Sequence, residues 1–159
     1  MSDATTTIAT ATPSLLAVDL GLWTGYACFS LGERPRLRWY RSQHFGTRAA
    51  LKRAIPRVLM EAGPLAAVVL EGDRHLGDLW GAVAERRGAK VARVAAETWR
   101  SALLLPRQQR HGSDAKAAAV FVALACIKES EAPMPKTALG DDVAEAICIG
   151  LYALAHPSW

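Results

Sequence analysis

With 159 residues, 51% of them hydrophobic, the chain is long enough for one domain with a real core, and such a domain buries roughly 70% of its unfolded surface. No apolar run approaches the ~18 residues of a membrane-spanning helix. The three cysteines, Cys28, Cys126 and Cys148, sit in apolar segments without CxxC spacing, which argues against a disulfide framework or thiolate zinc site and for a reducing, cytoplasmic setting. The net charge is only +4, yet all but five of the 19 basic residues are arginines and eight basic residues fall between Arg34 and Arg57. Arginine's planar fork suits phosphate, so the bias points to a phosphate-rich partner, although a coding bias toward arginine and alanine would also produce it.

Residues 1–14 are rich in Thr, Ala and Ser, carry no secretion leader and bury nothing, so they read as a flexible tail before a single domain over 15–159. Leu15 to Val18 form a buried strand between Pro13 and Gly21, and Tyr26 to Leu31 a second strand after Gly25. The hairpin delivers Asp19 into a glycine-rich turn. Such a carboxylate either caps its own turn or meets a cation, a hydrogen-bond network or a metal. Arg36 to Phe45 alternate as a third strand, with Arg36, Arg38 and Tyr40 expected on one face and Leu37 and Trp39 on the other. Thr47 caps a helix over Arg48 to Ala62, blemished by Pro56 and stopped by Gly63-Pro64.

The run Leu65 to Leu70 is apolar throughout, as in a strand buried on both faces, and ends in Glu71-Gly72-Asp73. A helix over His75 to Arg87 carries Leu76, Leu79, Trp80 and Val83 as a stripe that fits either a core face or a dimer face. A short strand, Ala89 to Val94, and a helix, Glu97 to Leu105, follow. Arg107 to Gly112 are polar and basic without periodicity, hence a loop, after which Ser113 caps a helix from Asp114 to about Glu129. Lys116 in its first turn opposes the helix dipole, a small cost that an exposed lysine tolerates and a functional one explains. Ala132 to Ala138 form a linker, and the last helix begins at Gly140. The order implies an α/β fold with a mixed sheet of about five strands, three antiparallel and then parallel, flanked by helices.

In the last helix Asp142 and Glu145 share one face, while Asp141 is accounted for by dipole compensation. If the first strand and the strand ending at Glu71 are neighbours and the last helix crosses them, Asp19, Glu71, Asp142 and Glu145 converge. Four such acids cannot all stay ionised without cations, and hard oxygen ligands select Mg²⁺ or Mn²⁺. Two ions roughly 4 Å apart would orient water for in-line attack on a phosphodiester.

The strand with Asp19 and its Gly-x-x-x-Gly turn, the strand ending in Glu71, and the helix Asp142-Val-Ala-Glu145 together resemble the RuvC-type Holliday-junction resolvases of the ribonuclease H-like superfamily. The resemblance implies two Mg²⁺ ions held by Asp19, Glu71, Asp142 and Glu145, with Asp19 bridging them, and a homodimer that nicks opposing strands of a four-way DNA junction. Family members generally have Asp where this chain has Glu145. Glu97-Thr-Trp-Arg100 and Lys116 resemble the branch related to organellar resolvases, with the lysine near the scissile phosphate, where it would stabilise developing charge or protonate the leaving group. Arg74, His75, Arg100, Arg107, Arg110 and His111 are expected to contact DNA phosphates. No small-molecule cofactor and no membrane partner are expected.

Three other readings compete. Actin-like sugar kinases and chaperone ATPases also open with an Asp-x-Gly turn but need two such domains around the nucleotide, and this chain supplies one. A RuvX-type nuclease acting on RNA shares the acids. A non-catalytic nucleic-acid-binding module would use the arginines alone, but acids near a phosphate backbone repel it.

Overall fold

A computed structural model describes residues 11–159; the part of the expected tail over 1–10 lies outside the described residues. Five strands form one sheet in the order β3-β2-β1-β4-β5, comprising β1 (Ser14–Leu20), β2 (Trp23–Ser30), β3 (Arg36–His44), β4 (Leu65–Gly72) and β5 (Lys90–Arg93). β1, β2 and β3 are mutually antiparallel, whereas β4 pairs with β1, and β5 with β4, in parallel. The helices are α1 (Arg48–Glu61), α2 (Arg74–Arg86), α3 (Ala96–Leu103), α4 (Gly112–Lys128) and α5 (Asp141–Ala155). This is the mixed α/β sheet expected from the order of elements.

Alternation along the strands divides the core in two. Leu16, Val18, Tyr26, Val68 and Leu70 face α1 and α2, where they meet Leu51, Ile55, Leu59 and Trp80. Leu15, Ala17, Ala27, Phe29 and Val69 face the opposite way, against Trp99 and the apolar sides of α4 and α5. Of the stripe on α2, Leu76 and Trp80 are buried against the protein's own sheet, and Leu79 and Val83 are partly buried beside them. Among the described residues no helix is long and apolar enough to cross a membrane, and the three cysteines are free.

Several local expectations are corrected. Ser14 is not tail but the first residue of β1, fully buried, paired with Ser30 and Leu65 and accepting from Arg38 Nη1. A register shift between Cys28 and Phe29 makes Leu37 pair with Phe29 and Trp39 with Cys28. Arg38 is the extra residue of this bulge, so Leu37 and Trp39 lie on opposite faces and Tyr40 joins Leu37. Sequence alternation cannot register such a slip. α1 runs through Pro56, whose ring is exposed. The Arg107 to Gly112 loop opens with a 3-10 helix, Pro106–Gln109. α4 starts at Gly112 with His111 as its N-cap, so Ser113 is already helical and caps nothing.

α5 crosses β1 and β2 closely because two glycines make room. A Cβ on Gly25 would overlap the backbone carbonyl of Asp142 at the start of α5, and one on Gly150 would overlap the ring of the buried Phe29. Gly25→Ala is expected to cost roughly 1–3 kcal/mol or more, since the obstacle is backbone. Gly46→Ala, whose Cβ would meet nothing within 4 Å, should change stability by less than about 0.5 kcal/mol. Urea unfolding of the two variants checks the contrast.

Candidate metal centre

Asp19 and Glu71 are register partners on the adjacent parallel strands β1 and β4. Both are at odd positions, in phase with Ala17 and Val69, so they project from the face that α5 covers. Glu145, in the second turn of α5, comes down onto that face. One carboxylate oxygen from each of the three lies within 4.8 Å of the others, and all three residues are half-buried.

This crowding reshapes their titration. Asp19 is pushed up to about 9, mainly by burial and then by the charges of Glu145 and Glu71. Glu71 is also raised by burial, an effect opposed by its hydrogen bond with Asp19. Among the described residues, the cation paired with this group is Arg100 of α3, whose Nη2 donates to Glu145 Oε1 at 3.0 Å, with the two side chains only 29% and 13% exposed. The Arg100 Nε is buried without a partner.

The remaining expected residues lie outside this trio. Asp142 shares the helical face of Glu145 but is not in the trio. Its carboxylate accepts a hydrogen bond from Ser42 Oγ of β3, which holds it over the Gly25–Ser42 register pair instead of over Asp19. Lys116 Nζ sits 3.5 Å from Asp141 Oδ2, both side chains about half exposed. Such a pair contributes under about 1 kcal/mol, so Lys116 is easily recruited elsewhere. Arg100, expected on DNA, pairs with Glu145. Arg74 and His75 occupy the exposed first turn of α2, and Arg107, Arg110 and His111 the exposed segment leading into α4. Ser42 was not legible as a site residue, because the β3 bulge shifts the phase that would have placed it beside the acids.

Three clustered oxygen donors, of which Asp19 keeps its proton up to about 9, fit a hard divalent cation such as Mg²⁺ or Mn²⁺, whose charge would replace that proton.

No protein-family model and no curated protein matches the sequence. Solved structures do. The fowlpox virus Holliday junction resolvase superposes with a TM-score of 0.70 at 18% identity, covering 89% of this chain and 98% of that one. The same enzyme with Holliday junction DNA gives 0.70 at 16% identity over 92% and 99% of the two chains. T. thermophilus RuvC in complex with its Holliday junction substrate gives 0.60 at 16% identity over 92% and 97%. The chain therefore shares the fold of these Holliday junction resolvases.

Two predictions follow from the charges. An unfolded aspartate titrates near ~3.9, whereas folded, metal-free Asp19 holds its proton to about 9. Between these limits the folded state binds the extra proton, so stability falls as pH rises. Metal-free protein is expected to lose at least about 1 kcal/mol more than Asp19→Asn between pH 5 and pH 8.5, or roughly 2–4 °C in thermal unfolding. Added Mg²⁺ should restore it most at the higher pH. Arg100→Gln leaves Glu145 without its counter-charge and is expected to destabilise the metal-free protein by about 1–2 kcal/mol, less than a fully buried pair would. Calorimetric melting with and without Mg²⁺ reads both effects.

Proposed function

We propose that the chain is a metal-dependent endonuclease that resolves four-way DNA junctions by paired, symmetric nicks. The observation that carries this reading is the convergence of Asp19, Glu71 and Glu145 at the ends of two central strands and under α5. The fold shared with resolvases solved on Holliday junctions supports the substrate class.

On this reading Asp19, Glu71 and Glu145 hold the metal, with Asp142 joining them by giving up its bond to Ser42. Two Mg²⁺ ions are proposed, with Mn²⁺ as a substitute. The bound metal supplies charge neutralisation and Lewis-acid polarisation of the scissile phosphodiester. Asp19 releases its proton as it becomes a ligand, so metal affinity rises with pH up to about 9. Arg100 keeps Glu145 oriented. Lys116, free to leave Asp141, neutralises charge building on the phosphate or protonates the leaving oxygen. Arg74, His75, Arg107, Arg110 and His111 are proposed to hold DNA phosphates, which positions the duplex without reading its sequence. Paired nicks need two such sites, so a homodimer is part of the proposal, as are a single nuclease domain that begins with β1 at Ser14 and a cytoplasmic setting.

Cleavage of a labelled immobile junction beside matched linear duplex tests the reading. Symmetric nicks are expected on the junction alone with Mg²⁺, abolished by EDTA and lowered on the order of 10³-fold or more by Asp19→Asn. Lys116→Ala should cost roughly 10²–10³-fold, as removal of one charge-stabilising donor does. Cutting of RNA or linear duplex instead would overturn junction selectivity. Tight binding without cutting in Mg²⁺ or Mn²⁺ would overturn the enzyme.

A further inference from the structure

The acid-bearing face of the sheet continues past the end of α5, and there it carries an uncovered aromatic pair. Gly25 of β2 and Ser42 of β3 are register partners, and the first turn of α5 sits on them: Asp142's backbone lies against Gly25 and its carboxylate takes the Ser42 hydroxyl. The next register pair on the same face, two residues further along each strand, is Trp23 with His44. Both residues are exposed. The rings stack with centroids 4.4 Å apart and planes at 28°, yet Trp23 remains 64% exposed. A tryptophan this open is unusual for a side chain that is highly buried on average.

The mounting of Trp23 is rigid. Phe45 N donates to Leu22 O at 2.7 Å, tying the β1–β2 turn to the end of β3, while Thr24 Oγ1 closes the turn on Gly21 O at 2.6 Å. Phe45 and Thr24 are themselves buried. An indole held by its own turn on one side and by an imidazole below keeps its outer face free for a flat ligand. The pair is also close to the acids. Asp19 pairs with Gly25, so Trp23 stands one strand across and about 7 Å along the strand direction from it, a span of about two base steps of a nucleic-acid strand.

We propose that Trp23, backed by His44, is a stacking platform for a nucleobase of the strand being cut, one unstacked from its partner within about two nucleotides of the scissile phosphate. This inference rests on the nuclease reading above and adds to it how a branched substrate is told from a continuous duplex. A duplex keeps its bases stacked on each other and offers the indole none, whereas at a crossover a base is released at little cost. Stacking accepts any base, so the platform selects structure without selecting sequence.

The experiment is binding in EDTA, where cleavage plays no part, of an immobile junction, a single-stranded oligonucleotide and a fully paired duplex. Trp23→Ala is expected to bind the junction and the single strand on the order of tenfold more weakly, given the usual worth of base–aromatic stacking, while Trp23→Phe keeps most of the affinity and duplex binding is unchanged. Abasic sites placed singly within two nucleotides of the crossover supply the second readout. At one position the abasic junction should bind wild-type protein more weakly but Trp23→Ala equally well. If Trp23→Ala weakens all three nucleic acids alike, or the abasic effect persists in Trp23→Ala, the indole stacks on no base and the proposal is overturned. Unchanged binding by a folded Trp23→Ala overturns it equally. None of these outcomes bears on whether wild-type protein cuts junctions in Mg²⁺, so the two proposals fail separately.

Discussion

The seating of α5 on β1 and β2 is the contact on which the rest depends. Its first turn rests on Gly25 and its later turns on Phe29 at Gly150, so backbone and ring occupy space that any larger residue would deny. The apolar side of the helix, through Val143, Ile147 and Ile149, closes one of the two cores. Because Glu145 lies between these two anchor points, its carboxylate is carried onto the strand ends. The packing that stabilises the domain and the convergence of the acids are therefore one structural event.

That convergence is electrostatically costly, and the molecule offsets it in two ways. Asp19 keeps a proton well above the usual carboxylate range because burial and two acidic neighbours oppose its charge. Glu145 meets Arg100, brought in by α3, whose Trp99 is fully buried in the same core. Neither device removes the crowding. A divalent cation would do so more completely, which is why the metal-free site reads as poised for one.

Arg74 and His75 follow β4, the basic residues between Arg107 and His111 precede α4, and the Trp23–His44 pair extends the acid face past the end of α5. A half-buried cluster of acids, with exposed cations on neighbouring elements, is in keeping with the polyanion substrate proposed above.

Much of this was legible in the chain itself. The apolar runs ending in Asp19 and Glu71, the glycine turns and the helix punctuation are local features, set by side-chain periodicity and backbone freedom, and they predicted the element order and the mixed sheet. They also marked the acids individually. The bulge at Arg38 was not legible, because an extra residue in a strand is defined only against its partner, and with it went the faces of Leu37, Trp39 and Ser42. The partner of Arg100 lies 45 residues away in sequence, a pairing that no spacing rule reveals. Nor does the sequence separate Asp142 from the trio, since helical spacing places it beside Glu145 while a hydroxyl from β3 decides where its oxygens go. Local chemistry thus determined which residues carry charge and on which elements. Tertiary packing alone decided which charges meet, because that depends on register and on how closely a helix approaches a sheet.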